Sequence, residues 1–182
     1  MLAIGIQGPH RGEALVERPL VWTTWGRWRV AHPDTEVLAT DTGFARNYGR
    51  DPYGGYNPRT GYYAPDAATM FPLMHDDPRF PPKAEVIGAR TAEAAVAFPL
   101  DRLREARRAE LEAGGEVFTA LYDETLDTGY VFRGRSAARA QPGGAGPHDV
   151  AWSGGEPLEP LNGFQAMWFA WAAFSPGTAV HG

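Results

Sequence analysis

The sequence predicts an α+β domain with a mainly antiparallel sheet and a few short helices. Three observations lead there. Glycine and proline supply 22 and 16 of the 182 residues, which interrupts the chain too often for long helices. Hydrophobic residues make up 43% and aromatic residues 12%, enough for a packed core and too much for a disordered chain. Within the regular stretch from residue 84 to 141, residues 116–122 and 128–132 alternate around a short turn, as hairpins do. The length suits one domain over 1–182.

Each element has a local cause. Sliding the sequence by 143 residues aligns its two ends without a gap. Gly12, Glu13, Leu15, Trp25, Trp28, Pro33, Thr35 and Val37 then meet Gly155, Glu156, Leu158, Trp168, Trp171, Pro176, Thr178 and Val180. Segments 12–37 and 155–180 therefore read as a pseudo-repeat: a turn, a Trp-x-x-Trp helix stopped by proline, and a strand. In the first copy Thr23 or Thr24 caps a helix whose Trp25, Trp28 and His32 share one face. Pro33 ends it, and Glu36 to Leu38 is expected to be a strand. Residues 40–82 form a long loop rich in Gly, Pro, Asp and Tyr. Residues 84–89 and 94–98 read as strands. Asp101 is the expected N-cap of a helix to Ala113, stopped by Gly114-Gly115. Residues 116–122 and 128–132 read as a hairpin around Asp123-Glu124-Thr125, and 136–140 as a further short strand. Gln141 to Pro147 is expected to be a flexible linker. Phe164 to Phe174 is apolar nearly all round. At roughly 16 Å long it is too short for a bilayer, so it reads as a buried central helix or as a homo-oligomer interface.

Composition excludes several chemistries. The net charge of -5 argues against non-specific nucleic-acid binding, which needs a basic surface. With no cysteine there is no disulfide, thiolate zinc site or thiol nucleophile. Lys83 is the single lysine. No apolar run reaches the roughly 18–20 residues of a membrane span. The first residues lack the basic and apolar regions of a signal peptide.

A series of motifs now stands in order. Gly8-Pro-His-Arg-Gly12 precedes Trp25-x-x-Trp28 and His32-Pro33-Asp34-Thr35. Asp41-Thr42-Gly43, Arg46-Asn-Tyr48 and Arg50-Asp51-Pro52-Tyr53-Gly54-Gly55-Tyr56 follow. Then come His75-Asp76-Asp77, Pro81-Pro82-Lys83, Val86-Ile87-Gly88, Ala97-Phe98-Pro99-Leu100 and Ala166-Met167-Trp168-Phe169-Ala170-Trp171. This series resembles the domain-of-unknown-function 3179 family of bacteria and archaea over almost the whole chain. The resemblance implies an extracytoplasmic setting and members longer at the N-terminus. This chain is accordingly expected to be N-terminally shortened, starting inside the first repeat.

The densest group of chemically capable residues is the 40–82 loop and its exit. Tyrosine presents an apolar plate with a polar tip, which suits sugar rings and peptide chains, and paired arginines suit carboxylate or phosphate. The ligand-binding candidates are Arg46, Tyr48, Arg50, Asp51, Tyr53, Tyr56, His75, Asp77 and Lys83. The run from Asp51 to Gly55 also fits a rigid turn, with Arg50 paired to an acid and the tyrosines packed on the sheet. Asp51, His75 and Asp77 are the candidate ligands for a divalent metal, with His10, His32 or His148 as a further donor; the spacing matches no EF-hand. No serine sits in Gly-x-Ser-x-Gly. Carboxylate pairs suited to acid–base work have no spacing test. The expected function is a non-catalytic binding or structural domain, its loop meeting a small molecule, glycan or protein. The alternative is a metal-dependent, hydrolase-like enzyme using the loop's Asp and His.

Overall fold

A computed structural model describes residues 4–182. Its helices are α1 (Trp25–Ala31), α2 (Leu100–Ala106) and α3 (Trp168–Phe174). Its strands are β1 (Glu85–Arg90), β2 (Ala95–Pro99), β3 (Arg108–Ala113), β4 (Glu116–Asp123), β5 (Thr128–Arg133), β6 (Arg139–Gln141), β7 (Ala151–Ser153), β8 (Glu159–Pro160), β9 (Phe164–Met167) and β10 (Ala179–Val180). The protein is α+β, and its sheets are antiparallel except where β10 runs parallel to β2.

Two four-stranded sheets form the centre, in orders β10-β2-β1-β9 and β3-β4-β5-β8. Strand β1 is buried on both faces, and its alternation assigns each face a partner. Ile87 and Ala89 join Phe98, Phe118, Ala120 and Val131 in the core between the two sheets. Val86 faces the other way and packs with Ala97, Trp168, Trp171 and Ala172 beneath α3. Gly88 belongs to this second face: a Cβ there would lie 2.4 Å from the Trp171 ring. Only a residue without a side chain lets α3 sit so close to the sheet. On the far side of the second sheet, Leu121, Tyr130 and Phe132 are covered by Val150, Trp152 and Val21. The order of layers is thus α3, first sheet, second sheet, and the β6–β7 ribbon.

Several expectations need correction. The helix after Pro99 ends at Ala106 because Arg107 turns left-handed (φ 66°), and Asp101 does not cap it: the N-cap is Pro99. Residues 108–113 then alternate between charged and apolar, which suits a strand beside β4 better than a helix. Phe164–Met167 is strand rather than helix, since the free edge of β1 takes it up. The remaining helix buries Trp168, Trp171 and Ala172 on one side only, leaving Phe174 61% exposed. Glu36 to Leu38 pairs with nothing in the sheets and lies exposed. Residues 136–140 contribute only the start of β6, which pairs with β7.

The Gln141–Pro147 segment is docked rather than free. Asp123, buried in the β4–β5 turn, accepts hydrogen bonds from the backbone N–H groups of Thr125, Leu126 and Gly144 and from the Tyr130 hydroxyl. His32 Nε2 lies 2.8 Å from the Gly144 carbonyl. A fully bonded buried carboxylate thus ties the β4–β5 hairpin to Gly144, and His32 adds the end of α1 through the Gly144 carbonyl. The two Trp-x-x-Trp helices share a local pattern: Trp28 Nε1 donates to Thr35 Oγ1 (2.9 Å) and Trp171 Nε1 to Thr178 Oγ1 (3.1 Å). Their settings differ. Trp171 is buried, whereas α1 has no buried residue.

Candidate functional site

A cleft of about 500 Å³ opens between α1, the Tyr56–Arg59 loop, β1, β9 and the β4–β5 turn. That volume falls within the range of small-ligand sites. Thr24 caps α1 through its hydroxyl, which accepts from Arg27 N–H. Thr23 donates to the Leu126 carbonyl (2.6 Å), and Arg27 Nη1 donates to the Glu124 carbonyl (2.7 Å). These bonds fix α1 on the β4–β5 turn. Trp22 and Trp25 are thereby held on the cleft wall, 42% and 49% exposed.

The opposite wall is a closed loop. Tyr62 N–H donates to the Tyr53 carbonyl (2.7 Å) and Thr60 N–H to the Gly55 carbonyl (2.9 Å). Gly54 (φ 112°) permits this closure; a Cβ there would strike the Thr60 carbonyl at 2.2 Å. Tyr56 stacks on Tyr63 with ring centroids 3.8 Å apart and contacts Trp22, tilted by 54°, with centroids 4.8 Å apart. Burial, together with the neighbouring Tyr63 hydroxyl, pushes the Tyr56 phenol up to about 12.

The polar lining consists of ion pairs. Arg59 pairs with Glu85 and donates to the Lys83 carbonyl (3.1 Å), tying the loop to the start of β1. Gln165 Nε2 donates to Glu85 Oε1 (3.0 Å), while its Oε1 is buried with no hydrogen-bond donor among the described residues. On the other side Asp127 accepts from Arg104 Nε (3.0 Å) and from the Tyr122 hydroxyl. Burial favours the neutral acid at Asp127, but the Tyr122 and Arg104 hydrogen bonds outweigh it and lower its pKa. Burial also opposes the charge on Arg104, yet its bonds to Tyr122, Asp127 and Asp101 raise it above the ordinary guanidinium value. Arg27 Nη2 stands 3.8 Å from Asp127.

A family model described as "Protein of unknown function (DUF3179)" matches residues 1–178, nearly the whole chain. The chain belongs to the DUF3179 family. No curated protein and no solved structure matches it.

Of the residues expected to bind in this DUF3179 chain, Tyr56 lines the cleft, and the others are dispersed. Tyr53 is half exposed outside it, edge-on to Tyr62 at 6.3 Å. Asp51 accepts from Tyr53 N–H (2.8 Å), closing the tight turn that the Asp51 to Gly55 run also suggested. Arg50, however, pairs with no acid among the described residues, and the Tyr53 ring is not packed on the sheet. Tyr48 bonds Thr42 (2.7 Å) at the surface, where Arg46, Arg50 and His75 are also exposed. Asp77 is taken up by Arg79, whose guanidinium holds the carboxyl below the usual range, and its carbonyl accepts from Trp168 Nε1 (2.8 Å). Lys83 is 1% exposed, with Nζ 3.1 Å from the Tyr62 ring centroid and 5.0 Å from that of Phe169. Among the described residues no three His, Asp or Glu come together in a way that could hold a metal ion, so Asp51, His75 and Asp77 form no such group.

Sequence reasoning missed Trp22, Arg27, Arg59, Glu85, Arg104, Asp127 and Gln165, and placed Trp25 on a helix face without assigning it to a site. These come from six separate stretches of chain, so no spacing links them. The available hint was Trp22 just before the Thr23-Thr24 cap, since a tryptophan outside the helix it precedes is poorly covered.

Proposed function

We propose that this DUF3179 protein is a binding domain that takes a small polar ligand into the cleft between Trp22, Trp25 and Tyr56. The observation that carries the reading is the convergence of three incompletely covered aromatic side chains on one cleft whose polar groups are already ordered. Isolated exposed aromatic side chains are unremarkable on a protein surface, but three on one concavity beside ordered donors and acceptors mark a ligand site. The reading keeps Tyr56 from the tyrosine-rich loop and moves the centre of binding from that loop to its junction with α1.

The pre-ordering has an energetic consequence. Arg59, Glu85, Gln165, Arg104 and Asp127 hold one another in position, so a ligand meets side chains whose rotamer freedom is already lost. Ligand-observed NMR with a small-molecule fragment mixture tests the reading. Fragments that bind the intact protein are expected to lose their signal with Trp22→Ala and with Tyr56→Ala, and to keep it with Tyr53→Ala. Fragment binding indifferent to both cleft substitutions would remove the cleft from the function.

A further inference from the structure

Resting on the binding reading above, we infer that the cleft takes a neutral oligosaccharide, with a pyranose ring against the Trp22–Tyr56 pair and its hydroxyls on the flanking ion pairs. The charges carry the first part of the argument. Arg59 already faces Glu85, Arg104 faces Asp127, and Arg27 is engaged by the carbonyls of Glu124 and Thr125. A phosphate or carboxylate ligand would meet the repulsion of a resident carboxylate beside each arginine, and a cationic ligand that of a resident arginine beside each carboxylate. A purely apolar ligand fails differently, because covering these ions strips their water and returns no hydrogen bonds. A polyhydroxylated neutral ligand avoids both costs. Each hydroxyl can donate to a carboxylate and accept from a guanidinium, so an existing pair serves as a bidentate partner for neighbouring hydroxyls without being broken.

The aromatic geometry supplies the second part. Trp22 and Tyr56 lie 4.8 Å apart and tilted by 54°, so they form a corner and not a closed stack. The C–H face of a pyranose is apolar while its rim is polar, which matches a ring face bordered by ions. Beside this corner lies an annex of about 50 Å³ lined by Trp22, Tyr56, Glu85 and Gln165. Gln165 Oε1 is the buried acceptor without a donor among the described residues. Such an atom carries a desolvation penalty until a donor reaches it. A ring hydroxyl or N-acetyl N–H entering the annex supplies one, whereas an ether or a methyl does not.

The experiment is isothermal titration of the full chain with maltotetraose, cellotetraose and chitotetraose, alongside tetra-alanine and tetragalacturonate. At least one of the neutral sugars is expected to bind. Its affinity should fall about tenfold or more with Trp22→Ala and with Tyr56→Ala, recover most of that loss with Trp22→Phe, and stay unchanged with Tyr53→Ala. Cooperative unfolding of each variant confirms that it is folded. If only tetra-alanine or tetragalacturonate binds, and Trp22→Ala abolishes that binding, the sugar assignment is overturned and the cleft remains a site. If no probe binds at about 10 mM, the sugar assignment is overturned, and the fragment experiment decides the cleft separately. Sugar binding insensitive to every cleft substitution overturns both readings.

Discussion

Replacing Gly88 by alanine should be among the most damaging single changes available to this protein. The new Cβ would fall 2.4 Å from two carbons of the Trp171 ring, against the roughly 3.5–4.0 Å of an ordinary carbon contact. One side must therefore retreat by about an ångström. The strand cannot easily do so, because Gly88 is paired with Ala97 of β2 and with Phe164 of β9. Nor can the indole, which is 3% exposed and held by its Nε1 bond to Thr178. Overpacking of this kind costs about 1–3 kcal/mol. Losing the Trp171–Thr178 bond adds about 1 kcal/mol. A total of about 3 kcal/mol follows, a large part of a typical domain's stability. Guanidinium unfolding followed by circular dichroism measures it. In a double-mutant cycle, Trp171→Leu should relieve the strain, so Gly88→Ala costs at least about 1 kcal/mol less in that background. A Gly88→Ala cost below about 1 kcal/mol, or strict additivity with Trp171→Leu, would refute the account of how α3 is seated.

Three further outcomes are expected. Asp123→Ala removes the acceptor of four hydrogen bonds in a buried turn and should cost about 3–5 kcal/mol in urea unfolding; a loss under about 1 kcal/mol would show that the turn holds without it. Burial raises the folded Asp127 pKa, but the Tyr122 and Arg104 hydrogen bonds outweigh it and hold the carboxyl below the ordinary carboxylate value. Its stabilising contribution is therefore fully present above the unfolded value near 3.9, and is lost as pH falls through the folded value. Melting temperatures should show a shallower acid decline for Asp127→Asn than for the natural chain, and identical slopes would contradict the assignment. Tyr56, pushed up to about 12 by burial and Tyr63, should account for a late step in the ultraviolet titration of tyrosine. Because Tyr122 and Tyr130 are also raised, the late absorbance change should shrink by one tyrosine in Tyr56→Phe, and its Tyr56 part should move to lower pH in Tyr63→Phe.

The parts of the fold legible in the sequence are those set by local chemistry. The Thr24 cap, the proline stop after α1 and the β4–β5 hairpin each depend on residues within a few positions of one another. Errors arose where a tertiary partner decided the outcome. Arg108 to Ala113 has helix-compatible composition, yet the edge of β4 claims it as strand. Phe164 to Met167 continues an apolar helix pattern, yet the edge of β1 claims it. The cleft was hardly legible for the same reason. Glu85 and Gln165 are 80 residues apart and meet only because β1 and β9 pair. The loop's tyrosines did stand out as unusual, but their composition could not distinguish Tyr56 in the cleft from Tyr53 outside it.

The seat of Lys83 has a practical consequence for anyone handling the protein. It is the chain's single lysine, and its amine lies under Tyr62 and beside Phe169. Acylating dyes, biotin esters and amine cross-linkers will find no lysine side chain to react with while that covering holds. Immobilisation through lysine should accordingly fail on the native protein and succeed once it is denatured. Because the site is unique, each molecule that opens can take up one side-chain label. Peptide-level counting of acetylated Lys83 over time, which sets aside the α-amino group, then becomes a clock for the lifting of the Tyr62 turn, with no engineered reporter needed.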